Sequence, residues 1–291
     1  MKVKHFIEGV VGTHKMICYA LGIAVLIGGM GSCALRIQER TVKAATQNTE
    51  ELPVLRIGSA VFAPYFYVDE DGGYAGVDVD LAKEACERMG YTPAFTELVW
   101  GEHDTVLNAG MIDCVWCSFS MNGREEMYQW AGPYLYSPEV VVVSENSNIK
   151  SLEDLDGKTV AVEVDSKPEE YFLKTDEGVK LNVRNVQTYS NLEDAFTSFG
   201  KGYADAVAGH KMALNYFTSE RPELYRYLEP LIINAKLGVA FRKEDDSGVV
   251  TLLSETLDEM NEDGTISDII SKYGFSDDML VSQQKTDGGS E

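Results

Sequence analysis

Basic residues are the first scarcity in this 291-residue chain: 25 Lys and Arg stand against 47 Asp and Glu, a net charge of −22. The acidic residues are scattered and form no block, so they read as solvated faces and argue against a surface for nucleic acid. Cysteine is sparse as well, and of the five only Cys86, Cys114 and Cys117 fall in the body of the chain. The "CVWC" pair has no second pair to complete a zinc site and lies inside an apolar run instead of at a helix start. Buried thiols are therefore expected, with no metal and no cofactor. Whether Cys86 and Cys114 pair stays open. Neither a Ser-His-Asp spacing nor a cluster of metal ligands occurs.

What is present begins at the N-terminus. Lys2, Lys4 and Lys15 precede "MICYALGIAVLIGGMGSC", an apolar stretch ending in small residues, which is the pattern of a secretory signal. Its apolar core is short for a membrane span. The end of the stretch, "MGSC", resembles the lipobox of bacterial lipoproteins, in which the cysteine, here Cys33, becomes the lipidated first residue. An uncleaved N-terminal anchor is the alternative. Loss of residues 1–33 removes three lysines and one glutamate and leaves −24. Residues 34–51 are polar and aperiodic, a tether that lifts a folded body off a membrane.

From Leu52 onward, short apolar runs alternate with amphipathic stretches. "VLRIGSA" reads as a strand, and "DVDLAKEACERMG" as a helix with Leu81, Ala82, Ala85, Cys86 and Met89 on one stripe and Gly90 as its stop. "HDTVLNAG" is a second helix, and "MIDCVWCSF" is apolar on both faces, as a strand inside a parallel sheet should be. The rhythm resumes with the Ser-x-x-Asp start of "SLEDLDG", the strand "KTVAVEV", and "KPEEYFLK", which opens a helix with Pro168 where proline is tolerated. "NLEDAFTSFGKG", "YADAVAG" and "HKMALNYFTS" then give helix, strand and helix. The class is α/β with parallel sheets. Two apolar strands, "PEVVVVSE" at 138–145 and "AKLGVAFRKE" at 235–244, bracket the second block, and two helices close the chain. The simplest topology is two α/β lobes joined by a two-strand hinge: lobe 1 over 52–143 and 237–275, lobe 2 over 144–236, and a tail over 276–291.

"LRIGSAVFAPYFYVDEDGGYAGVDVDLAKEACERMGY", "GRE", "YQWAGPYLYSPEVVVV", "IKSLEDLDGKTVAV", "KGYADAV" and "LDEMNEDGTISDIISKYG" resemble, in this order, the family 3 extracellular solute-binding proteins. These are the receptors of polar amino-acid ABC importers. The resemblance covers about 52–275. It implies a periplasmic-binding-protein-like type II fold with a ligand cleft between the lobes. In the family the strand corresponding to "DCVWCSF" leads to a Thr-Ile-Thr-Pro-Glu-Arg turn that holds the ligand's α-carboxylate. Carried over, Ser118 offers its carbonyl to the ammonium, Ser120 its hydroxyl to the carboxylate, and Arg124 its two-pronged guanidinium. This chain is one residue shorter before the arginine, which Asn122-Gly123 accommodates by a tighter turn. The rival reading makes Arg124 a surface cation. Phe62, in "FAPY", and Trp100, in "VWGEHDTVL", fall where the family sandwiches ligand side chains; core aromatics are the rival. Ser166 and Lys167 precede a helix start, where backbone N–H groups meet an anion.

The resemblance breaks at two carboxylates. His210 stands where the family's ammonium-binding aspartate is expected, and Ser59 where a second aspartate is frequent. Three outcomes follow: Glu163 takes over the cation, the ligand lacks a free ammonium, or His210 lies outside the site. The implied function is capture of an amino acid or similar small carboxylate by a monomer, lipid-anchored outside the cytoplasm, which delivers it to a permease and its ATPase. Two other classes keep the same fold. One is a periplasmic dehydratase using Glu163 and His210 as acid and base, and the other is a ligand-sensor module.

Overall fold

The computed structural model of the protein describes residues 52–173 and 181–283. The expected signal 1–33 with Cys33, the tether 34–51 and the end of the chain from 284 lie outside the described residues.

Chain order among them is β1 (Val54–Ser59), β2 (Tyr67–Val68), β3 (Tyr74–Ala75), α1 (Val77–Met89), β4 (Thr92–Glu97), α2 (His103–Asn108), β5 (Cys114–Ser120) and β6 (Gln129–Ser144). It continues with β7 (Thr159–Glu163), α3 (Lys167–Leu173), β8 (Asn185–Tyr189), α4 (Leu192–Gly200), β9 (Ala206–His210), α5 (Lys211–Thr218), β10 (Tyr225–Tyr227), β11 (Ile233–Phe241), α6 (Val249–Glu262) and α7 (Thr265–Ser271).

Local chemistry sets the ends of these elements. α1 buries Val77, Leu81, Ala82, Ala85 and Cys86 on one face and stops at Gly90, whose φ of 73° an L side chain resists. Asn191 caps α4 by accepting the Asp194 N–H at 2.8 Å. Ser151 and Asp154 form the reciprocal capping box that the sequence promises, over a short 3₁₀ turn.

Strand order is β4-β1-β5-β11-β6-β9-β7-β8, with β10 added on β6. β5 is buried at every position between parallel β1 and antiparallel β11, which explains its unbroken apolar run. On the other side β7 runs parallel to β8 and β9. There Val140, Val142, Ala161 and Val207 feed one core cluster, while Val141, Val143, Val160 and Val162 feed a second on the opposite face. The alternation is the two-sided burial of a covered sheet.

Two antiparallel strands, β6 and β11, serve both halves. Gln129–Leu135 of β6 and Leu237–Phe241 of β11 belong to the β5 side, whereas Glu139–Val143 of β6 already pair with β9. The chain therefore changes lobes between Ser137 and Glu139, ahead of the expected 143/144 boundary. The physical reason is that β6 continues as one strand of 16 residues through Gly132-Pro133 and Pro138, which in sequence look like breaks. The expected tail also starts too early: Met279, Leu280 and Val281 are buried, so packing extends past 276. Strands β4 and β8, unassigned in sequence, flank the sheet on its two edges.

Candidate functional site

At the C-terminal ends of β5 and β7, where β6 changes partner, the lobes face each other across a narrow cavity of about 40 Å³. Its walls include Phe62, Trp100, Ser118, Ser120, Arg124, Glu163, Ser166, Lys167 and His210, so the structure brings these sequence-selected residues together. Ser59 is the exception. It is fully buried at the end of β1, beside the Cys117 thiol and outside the cavity walls. Glu139, Asp165, Phe119, Ala60 and Leu192 line the cavity without having been singled out in the sequence.

The lobe 1 wall is built on the end of β5. Ser118 has a φ of 43°, uncommon for a residue with a side chain, and its N–H donates to Asp78 Oδ2 at 2.6 Å. Asp78 is 1% exposed and also accepts from the Tyr134 hydroxyl at 2.9 Å. Burial pushes this carboxyl up to about 7 against the pull of those two donors. Beyond Ser120 the chain reverses in a turn closed by Arg124 N–H to Met121 C=O at 2.8 Å, with Gly123 at φ 70°. A type II turn demands that conformation at its third residue, and glycine supplies it.

Arg124 spans the gap. Its Nη1 donates to the Ser120 carbonyl at 3.2 Å, its Nη2 to the Asp165 carbonyl of lobe 2 at 2.7 Å, and its guanidinium lies 5.3 Å from the Phe119 ring centre. The same side chain therefore touches both lobes. Asp165 is itself at φ 54°, so each lobe contributes one left-handed, non-glycine residue to the cleft.

In lobe 2, Ser166 accepts the Glu169 N–H at 3.2 Å and Lys167 pairs with Glu170 at 2.5 Å. Ser166 is thus the cap of α3. Phe62 stands edge-on to His210 at 5.8 Å, and Trp100 stacks on His103 at 4.4 Å while meeting Phe119 edge-on at 4.8 Å. Both aromatics are 9% exposed, part core and part wall.

His210 is buried and forms part of the cavity wall. Nδ1 lies 2.9 Å from Ser137 Oγ, and Nε2 lies 3.2 Å from Glu139 Oε1. Burial and then the Arg124 charge push the ring down to about 3, so it is neutral. Glu139 is pushed up to about 8 by burial and by the Glu163 charge, and Glu163 likewise to about 8 by burial. Cys114 and Cys117 on the strand below are free and buried, and burial raises the Cys117 thiol to about 12. They are inert. Cys86 is also a free thiol. Glu139 escapes a sequence reading because it heads the apolar run "EVVVV"; a lone acid at the mouth of a buried strand is the signal that marks it.

Two α/β lobes, two strands passing between them and a cleft of mixed charge at the passage define a type II binding-protein fold. The chain belongs to the bacterial extracellular solute-binding proteins, family 3, whose model matches residues 55–276. It is similar to the L-cystine-binding protein TcyA of Bacillus subtilis, 27% identical over 274 residues that span 91% of this chain and 99% of that protein. It also resembles an ancestral arginine-binding protein bound to arginine, at TM-score 0.68 and 28% identity over 76% of this chain and 97% of that one. A third likeness is to the ancestral amino-acid-binding protein AncCDT-1, a precursor of cyclohexadienyl dehydratase, at TM-score 0.67 and 25% identity over 76% and 95%.

Proposed function

We propose that the chain captures an amino acid or related small carboxylate in the interlobe cleft and delivers it to an ABC permease and its ATPase. In this reading it is a monomer held outside the cytoplasm through lipidated Cys33. Arg124 carries the reading, because it is the cation that reaches from the β5 turn across to Asp165 and has further N–H donors in its fork for an anion. Ser120 and the Ser118 carbonyl share the ligand's polar end, Phe62 and Trp100 flank its side chain, and Ser166 and Lys167 close from lobe 2. A ligand that binds both walls stabilises closure, and closure is the signal a permease reads.

A thermal-shift screen against amino acids, small dicarboxylates and keto acids tests it. A true ligand at a hundredfold its dissociation constant adds roughly 2.7 kcal/mol of stability, and Arg124→Ala removes that gain. Silence from every carboxylate sinks the proposal. The likeness to AncCDT-1, together with Glu163 raised to about 8 and hence able to donate a proton at neutrality, supports a dehydratase as second reading. Time-dependent loss of prephenate or arogenate that Glu163→Gln abolishes would favour it.

A further inference from the structure

Glu139 is a buried acid that the roles above do not use. It lies on β6 at the crossing between lobes, directly opposite His210 in register, and is 2% exposed. Its Oε1 faces His210 Nε2, whereas its Oε2 is buried and has no hydrogen-bond partner among the described residues. A carboxylate oxygen taken out of water and left without a donor is costly. Because Glu139 forms part of the cavity wall, a ligand can supply the missing donor.

The surroundings say what kind of donor. Behind the ring runs a chain of polar contacts, Tyr65 hydroxyl to Ser137 Oγ at 3.0 Å and Ser137 Oγ to His210 Nδ1 at 2.9 Å. Either tautomer of the neutral ring engages Ser137 through Nδ1 and Glu139 Oε1 through Nε2, which leaves Oε2 to something else. The titratable and charged groups facing Glu139 are Glu163 on β7, Arg124 from the β5 turn, Lys167 on α3 and the neutral His210 ring on β9. Arg124 takes the anionic pole and Lys167 pairs with Glu170, so the opposite pole of the cavity is acidic. That polarity fits a zwitterion.

We infer that Glu139 is the seat of the ligand's ammonium, with Oε2 accepting from the amine while His210, Ser137 and Tyr65 act as positioning residues that hold Oε1. The inference rests on reading the cavity as an amino-acid receptor. Under it, the histidine at 210 does not abolish the amine contact; it moves the anion from β9 to the neighbouring strand, onto the hinge itself. Burial beside Glu163 keeps the Glu139 carboxyl up to about 8, so seating an ammonium at neutral pH releases its proton to solvent.

The test uses the full-length chain in mild detergent. Thermal shift over the standard amino acids and L-cystine selects a probe, and calorimetry compares it with the same acid lacking the α-amine. Wild type is expected to prefer the amino acid by roughly 10- to 100-fold, the value of a hydrogen bond to a charged group. Glu139→Gln, similar in shape and uncharged, should reduce that ratio to about threefold or less. Wild type should also release a proton on binding at pH 7, read from the heats in two buffers of different protonation enthalpy. A full preference in Glu139→Gln, or a preference lost in Glu163→Gln and kept in Glu139→Gln, overturns the assignment and leaves the receptor reading standing. Wild type binding both acids equally does the same. Should Glu139→Gln fail to fold, the proton count of Glu163→Gln decides: a proton still released on binding supports the assignment to Glu139, and a count of zero overturns the inference. A wild type that no acid of either kind shifts removes the receptor reading and the inference together.

Discussion

Ser118 shows how a single residue is held in a conformation its side chain resists. The strain of a left-handed serine is of order 1–3 kcal/mol, and the short bond from its N–H to Asp78 Oδ2, at 2.6 Å, offsets it. The two changes at Asp78 should therefore diverge. Asp78→Ala leaves the Ser118 N–H and the Tyr134 hydroxyl buried without partners, at about 1–3 kcal/mol each. Asp78→Asn keeps an acceptor for Ser118, and the Tyr134 hydroxyl can turn from donor to acceptor toward the new amide, so the cost stays near about 1 kcal/mol. Urea denaturation separates them. Equal losses would mean that Asp78 serves packing alone, and that Ser118 keeps its shape by other means.

The turn after β5 does at the level of an element what Asp78 does for one residue. Gly123 sits at φ 70°, and a Cβ built there would lie 3.3 Å from Lys167 Nζ across the cleft. Gly123→Ala thus costs about 1 kcal/mol in the turn, and it presses on lobe 2 only when the lobes are closed. Ligand affinity should fall by about tenfold with the unliganded melting temperature down by a few degrees, measured by calorimetry and thermal denaturation. An affinity unchanged beside a lowered melting point would place the strain in the turn and none in closure. This turn was legible in sequence, since Asn-Gly announces it and β5 before it is apolar at every position. Helices α1 and α4 were legible for the same kind of reason, a stripe of apolar residues with a cap. What was not legible lies where long-range pairing overrides local signals. β6 runs through Gly132-Pro133 and Pro138 because β11 and β9 hold it on either side, and no local pattern reports that. Glu139 was missed with it: its role depends on facing His210, a residue 71 positions away that register alone brings opposite. Ser59 was misplaced because it is fully buried at the end of β1, beside Cys117, and is not among the residues that line the cavity.

For the whole molecule, the buried acids set how stability answers to pH. Burial raises Glu139 and Glu163 from 4.5 to about 8 and Asp78 from 3.8 to about 7. Between those limits the folded chain keeps protons that the unfolded chain has given up, so stability falls as pH rises and levels off above about 8. His210 opposes this at the acid end. Its pKa drops from 6.5 to about 3, so its share of stability is full above 6.5 and is lost as pH falls toward 3. Three carboxyls outweigh one ring between about pH 5 and 6.5, and above 6.5 nothing opposes them. The urea midpoint of the unliganded protein should therefore decline from pH 5.5 to pH 8, each carboxyl contributing up to about 1.4 kcal/mol per pH unit within its window. Surface repulsion in a chain of net charge −22 acts in the same direction. Two measurements separate the contributions. The double variant Glu139→Gln, Glu163→Gln should flatten most of the decline while leaving the surface charge nearly intact. A saturating amino acid should flatten it as well, since its ammonium provides the countercharge that the empty cleft replaces with protons. A decline between pH 7 and 8, above the window of Asp78, that survives both the double variant and the ligand would assign the pH response to the surface and leave the cleft carboxyls without a part in it.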